Sequence, residues 1–310
     1  MKVIRAGVLG FCMGVRRAVD MAFAERRSFP PGEGGHSVKT MGALIHNPQV
    51  MESLKVRGIE TLDGGLPLSL QDTSVIIRAH GIPPGLEEEI RRRGGKLVDA
   101  TCPKVKASQM KARSLAREGY TIFLAGEARH GEIIGILGYA PDCITVADPA
   151  GAERAAESLH RKKPHAGTAL LGQTTISSGE YEAIAEAVRR FFPGLECINT
   201  ICGATGDRQN ALEELCGRTQ ALIIAGGRES ANTRRLLMIA EKRDKPAWLV
   251  ESAAELPGEI FRYDTVGLSA GASTPDEVID AIERVLLEGP ARETAEWGNP
   301  PPAETADDIA

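Results

Sequence analysis

Short apolar runs alternate with longer amphipathic stretches along almost the whole chain. The runs VIRAGVL, SVKTMGALI, SVIIRA, TIFLAGEA, TALLG, ALIIAGG and TVGLSAGA read as buried strands. Between them, stretches such as MGVRRAVDMAFAERR, PKVKASQMKARSLAREG and GATGDRQNALEELCG repeat apolar residues at helical spacing. Three more, PPGLEEEIRRR, SSGEYEAIAEAVRRFF and STPDEVIDAIERVLL, open on Pro or Ser with acidic residues following. Acidic first turns and basic later turns suit the helix dipole. Strands alternating with helices predict parallel βαβ units and an α/β fold with mostly parallel sheets.

The pattern repeats three times. Cys12, Cys102 and Cys202 stand 90 and 100 residues apart, each after an apolar run and before an amphipathic helix. Each third then supplies two strands with polar ends. The first set of ends is His46-Asn47, His130-Gly131-Glu132 and Ser230-Ala231-Asn232; the second is His80-Gly81, Gln173-Thr174-Thr175 and Ser273-Thr274. We expect three quasi-equivalent lobes at 14–98, 99–196 and 197–289, of about 100 residues each, sharing one centre. The stretch 290–310, rich in Pro and acidic residues, is expected to be a flexible tail.

Composition narrows the chemistry. Aromatics make up only 4%, which argues against stacking platforms for nucleic-acid bases, and a net charge of −5 argues against a general polyanion binder. An anion site must therefore be local. No apolar run is long enough to span a membrane, and no signal peptide is visible at the N-terminus. Six scattered cysteines do not resemble a disulfide scaffold, so a reducing, cytoplasmic setting is expected.

A thiol at the end of a strand and the start of a helix sits where open α/β sheets bind ligands, and the helix N-terminus favours the thiolate. A lone cysteine is usually a small buried hydrophobe; three at repeated positions suggest one shared metal or cluster. Structural zinc prefers closed four-ligand sets, often built from Cys-x-x-Cys pairs, and none is present. An iron–sulfur cluster accepts scattered ligands, and three thiolates would leave one iron of a 4Fe–4S cluster open. His46, His80 and His130, with Ser230, Asn232 and Ser273, offer the donors expected for a phosphate. Glu132, in a water-poor site, would hold its proton and deliver it. Thr174 relays a proton, binds a substrate hydroxyl, or caps the next helix. Cys143, Cys197 and Cys216 lack the repeated context, and His36, His160 and His165 are expected in solvent.

The segments GFCMGVRRAV, LIHNPQV, RAHGIPP, DATCPKVK, HGEIIG, GQTTIS, ICGATGDRQNA and GASTPDEVI resemble, in order and context, the LytB-type 4-hydroxy-3-methylbut-2-enyl diphosphate reductases. The resemblance runs from Lys2 to about Leu287. It implies a trefoil of three α/β lobes around a 4Fe–4S cluster on Cys12, Cys102 and Cys202, with residues 1–13 joining the third lobe. It also implies diphosphate binding by His46, His80, His130, Ser230, Asn232 and Ser273, proton delivery by Glu132 and Thr174, and electrons from a ferredoxin or flavodoxin. Two positions depart from the family pattern. Ala231 stands where a second serine is usual and offers only its backbone N–H. Gly131 stands where proline is common, so a looser Glu132 loop is expected. Two rival readings remain at this level. A cluster-dependent hydro-lyase or quinolinate synthase-like enzyme would need no reductant, and a redox sensor would bind no diphosphate.

Overall fold

In a computed structural model, which describes residues 1–30 and 35–289, the apolar runs form strands and the amphipathic stretches form helices. The expected tail at 290–310 lies outside the described residues. The chain opens with β1 (Lys2–Arg5) and α1 (Met13–Ser28). One sheet contains β2 (Ser37–Met41), β3 (Ile59–Leu62), β4 (Thr73–Ile77) and β5 (Lys96–Asp99), with α2 (Pro48–Val56) and α3 (Pro84–Arg92). After α4 (Pro103–Arg117), the next sheet contains β6 (Thr121–Ala125), β7 (Ile144–Val146), β8 (Thr168–Gly172) and β9 (Glu196–Ile198). Its helices are α5 (Gly131–Tyr139), α6 (Pro149–Lys162) and α7 (Ser178–Arg189). Then come α8 (Gly203–Cys216), β10 (Ala221–Ala225), α9 (Ala231–Lys242), β11 (Ala247–Val250), β12 (Thr265–Ala270) and α10 (Asp276–Glu288).

The three sheets share one plan. Their orders are β3-β2-β4-β5, β7-β6-β8-β9 and β11-β10-β12-β1, with every pair parallel. The fourth place of the third sheet is filled by β1, which pairs Lys2 with Thr265 through Arg5 with Leu268. Central strands β4, β8 and β10 are buried along their whole length. Helices cover both faces of the sheets, as parallel sheets require. The boundaries expected at 98/99 and 196/197 fall inside β5 and β9, whose pairing ties Asp99 to Ile77 and Ile198 to Leu171.

Each fourth strand runs through a cysteine into a helix that packs on the following sheet. Ala18 and Ala22 of α1 pack with Val38 and Ile76, Leu115 of α4 with Ile122 and Leu124, and Leu212 of α8 with Leu222 and Ile224. The cysteines therefore mark the three passages between lobes. Gly267 lets α8 sit close on β12, because a Cβ there would fall 2.5 Å from Leu222 and 2.8 Å from Leu215. Edge strands β3, β7 and β11, and helices α2, α6 and α9, were not separately legible as elements. Their segments are short or mix polar residues into the pattern, as IETL, ITV and the Ala-rich PAGAERAAESLHRK illustrate.

Tyr181 fastens β9 to its lobe: its buried hydroxyl lies 3.0 Å from the carbonyls of both Leu170 and Ile198. Tyr181→Phe should lower stability by about 1–2 kcal/mol. A urea titration checks this, and an unchanged midpoint would mean that water satisfies both carbonyls equally well.

Candidate active site

Cys12, Cys102 and Cys202 occupy the N-cap positions of α1, α4 and α8, and all three are free thiols. They line one central cavity of about 100 Å³. The sulfur of Cys12 accepts the N–H of Val15 at 3.4 Å. Burial pushes the Cys102 thiol up; N–H groups of Lys104 and Val105 oppose this, and the neighbouring Cys12 and Cys202 add to it. Close approach also needs Gly14, where a Cβ would stand 2.6 Å from the Cys102 sulfur. Three convergent thiolates form a donor set for a soft metal centre.

Each cysteine is tied by its backbone to a polar strand end. The N–H of Cys12 bonds to Ala272, that of Cys102 to Ala79 and that of Cys202 to Thr174, at 3.0, 2.9 and 2.9 Å. Ala272 precedes Ser273, and Ala79 precedes His80. The thiols and the polar residues thus share one framework.

The polar wall draws on all three lobes. The rings of His46, His80 and His130 lie 4.7, 5.0 and 6.1 Å apart between centroids, with nitrogen atoms within 4.8 Å of one another. Burial lowers all three pKa values, with Arg78 adding to the effect. His130 is lowered to about 4, so it is neutral near pH 7 and either donates or accepts according to its tautomer. His130 caps α5 and Ser230 caps α9, bringing two helix N-termini to the wall. Ala231 opens α9 with its backbone there. Ser273 donates to the His46 carbonyl at 3.2 Å, closing the seam between the first and third lobes. The buried side-chain amide of Asn232 has no partner on either oxygen or nitrogen, and the Nδ1 atom of His80 has none either. Such atoms, on a cavity wall, await a polar ligand.

Glu132 lies in the first turn of α5, only 1% exposed. Its Oε1 accepts the N–H of Thr174 at 2.8 Å, and its Oε2 pairs with the Thr174 hydroxyl at 2.7 Å. Burial outweighs those two bonds and a favourable field from Arg235, and the carboxyl pKa is pushed up to about 7. The residues expected to form a Glu132 loop instead open α5. Gly131 starts the helix, and the Arg78 guanidinium fills the space beside it, 2.9 Å from where a Cβ would stand. Thr174 does not cap the following helix either; Ser177 does, in a capping box with Glu180.

All the residues expected at the site, from Cys12 to Ser273, line this cavity. Cys143, Cys197 and Cys216 do not, and Cys197 instead receives a bond from Arg189 at 3.1 Å. His36, expected in solvent, is half-buried, stacks on Phe29 at 3.8 Å and pairs with Ser74. Arg208, Thr205 and Lys104 also line the cavity and were missed. The signal for Arg208 was present: it stands in the helical stripe with Thr205, Leu212 and Leu215, where an aliphatic residue would be ordinary.

A family model described as "LytB protein" matches residues 3–287. The 4-hydroxy-3-methylbut-2-enyl diphosphate reductase of Treponema denticola is 46% identical, covering 93% of this chain and all of the relative. The protein of that name from Aquifex aeolicus is 38% identical, covering 92% and 96%. A solved (E)-4-hydroxy-3-methyl-but-2-enyl diphosphate reductase, described as the terminal enzyme of the non-mevalonate pathway, superposes with a TM-score of 0.66 at 38% identity, covering 93% of this chain and all of that one. The E-1-hydroxy-2-methyl-but-2-enyl-4-diphosphate reductase of Plasmodium falciparum superposes with a TM-score of 0.83 at 26% identity, covering 94% and 89%.

The Glu132 carboxyl carries a sign that stability measurements can read. Folded, it holds its proton to about pH 7, whereas the ordinary carboxyl releases it near 4.5. Between those values the folded chain binds more protons than the unfolded one, so stability falls as pH rises, and the loss is complete above 7. In the metal-free protein, Glu132→Gln should gain on the native chain across this window, by up to about 3 kcal/mol. Paired urea titrations at pH 4.5 and pH 8 measure the gap; a gap independent of pH would refute the raised pKa.

Proposed function

We propose, because the chain belongs to the LytB protein family, that it reduces 4-hydroxy-3-methylbut-2-enyl diphosphate, removing the allylic hydroxyl with two electrons and two protons. The products are isopentenyl and dimethylallyl diphosphate. One observation carries this reading: a buried, proton-holding carboxyl shares a cavity with a neutral polar wall on one side and three thiols on another.

A 4Fe–4S cluster fits this donor set. Three free thiols from three lobes face one space, Gly14 keeps a Cβ out of the Cys102 sulfur, and no Cys-x-x-Cys pair completes a zinc site. Cys12, Cys102 and Cys202 would hold it, leaving the fourth ligand position to substrate. When bound, the cluster supplies single electrons and a Lewis-acidic iron.

The chain's own residues do the rest. The imidazoles of His46, His80 and His130, the free amide of Asn232, the hydroxyls of Ser230 and Ser273 and the N-terminus of α9 at Ala231 grip the diphosphate. A charged group held at the wall folds the short carbon chain back toward the thiols and fixes its hydroxyl near Glu132. Glu132, still protonated near pH 7, donates to the leaving hydroxyl, and water departs. The carboxylate left behind keeps the N–H and hydroxyl of Thr174, one on each oxygen. Ala231 costs the wall one hydroxyl and leaves the backbone contact intact. Electrons would come from a small carrier such as a ferredoxin or flavodoxin, in the reducing cytoplasm that suits free thiols. Among the described residues, no helix is long and apolar enough to cross a membrane.

Anaerobic purification with iron and sulfide counting, then assay with a reduced dye and the allylic diphosphate, tests this reading. Turnover that needs the reductant supports it; dehydration without reductant would favour the hydro-lyase. Glu132→Gln should lower turnover by about 10²-fold or more, while inorganic diphosphate, followed by calorimetry, binds within about threefold of native. Near-native turnover would remove Glu132 from the acid role. Asn232→Ala should weaken diphosphate binding by about tenfold, the equivalent of about 1.4 kcal/mol.

A further inference from the structure

Arg208 is 3% exposed, on the buried face of α8. Its two Nη groups are committed: one donates to Ala204 at 2.7 Å, the other to Gly10 at 2.5 Å. Ala204 lies two residues after Cys202, and Gly10 two residues before Cys12. Gly10 turns through the left-handed region at φ +75°, in the turn that carries its carbonyl to Arg208. One guanidinium therefore joins the approaches to two of the three thiols, although they are 190 residues apart in sequence. Both of its bonds go to neutral carbonyls and none to a carboxylate. Its Nε–H is buried without a partner, and the side chain lines the cavity. A buried cation with no carboxylate bonded to it is costly. Burial does pull the Arg208 pKa down, and the charges of Cys12, Cys202 and Asp207 oppose this, in that order.

We infer that Arg208 is a positioning residue for the thiolate centre: it staples the Cys12 and Cys202 segments together and holds its charge on the wall of the cavity that their sulfurs line. This rests on the cluster reading above. Its consequence is electrostatic, since a fixed cation beside the ligands stabilises the reduced, more negative state of the centre. Lysine retains the charge but cannot hold two carbonyls in a planar fork and still present a third donor. Methionine retains much of the bulk and neither function.

The test compares the native chain with Arg208→Lys and Arg208→Met after anaerobic reconstitution. Iron and sulfide per chain, melting temperature and the ratio of reduced to oxidised cluster at one fixed potential are read by chemical analysis, calorimetry and electron paramagnetic resonance. In Arg208→Met that ratio should fall about tenfold, equivalent to about 59 mV for one electron, with Arg208→Lys recovering most of it. If Arg208→Met melts as the native chain does but loads no cluster, loading in Arg208→Lys upholds the role of the charge, and failure to load in both variants upholds the staple. Equal loading with equal ratios in all three chains, or loss of the fold in both variants, overturns the inference. A native chain that itself takes up no iron or sulfide would instead overturn the cluster reading, a distinguishable result.

Discussion

Three backbone hydrogen bonds, from the N–H groups of Cys12, Cys102 and Cys202 to Ala272, Ala79 and Thr174, hold the centre of this molecule in register. Each joins a thiol to the end of a central strand that also bears, or immediately precedes, a polar site residue. Movement of a thiol relative to the polar wall would break one of these bonds inside a region with little water to replace it, at a cost of about 1–3 kcal/mol. The distance between the two halves of the site is thus set by peptide geometry rather than by flexible side chains. A small substrate spanning both halves meets a fixed gauge.

The same dryness that fixes distance also sets charge. Glu132 is raised toward neutrality, and the three histidines are lowered away from protonation, by one cause, burial. The wall is therefore neutral where a cationic one might be expected for an anion. Its polarity comes from dipoles already oriented: imidazoles, the Asn232 amide and helix N-termini. Preorganised dipoles avoid the repulsion that three adjacent imidazolium groups would suffer, and they need no reorganisation when charge moves. Arg78, Arg234 and Arg235 add positive field to His130, and Arg235 to Glu132.

Much of this arrangement was legible in the residues. The alternation of apolar runs and amphipathic stretches specified parallel βαβ units, and the spacing of Cys12, Cys102 and Cys202 exposed the threefold plan. The polar strand ends could be named because they recur at equivalent places. What stayed hidden has physical reasons. Edge strands such as Ile144–Val146 are too short to show a period. Arg78, from another lobe, fills the space beside Gly131, and no local rule connects the two. Arg208 was passed over because an arginine in a helix reads as solvated surface, even where, as here, it stands in the buried stripe. His36 was read as exposed for a similar reason, since its partner Ser74 lies 38 residues away.

The placement of β1 has a consequence for the order in which the molecule can be made. Lys2 pairs with Thr265, so β1 finds its neighbour only after the first two sheets and β10 have been made. The first two sheets are built from nearby segments, whereas the third must bring β1 to β12 across both of them. Contacts of such long sequence separation form slowly. Until they form, Cys12 has a helix to cap but no completed cavity to face. Assembly of the three-thiol centre is thereby postponed until β12 has been made, and β1 serves as the closing clasp of the ring.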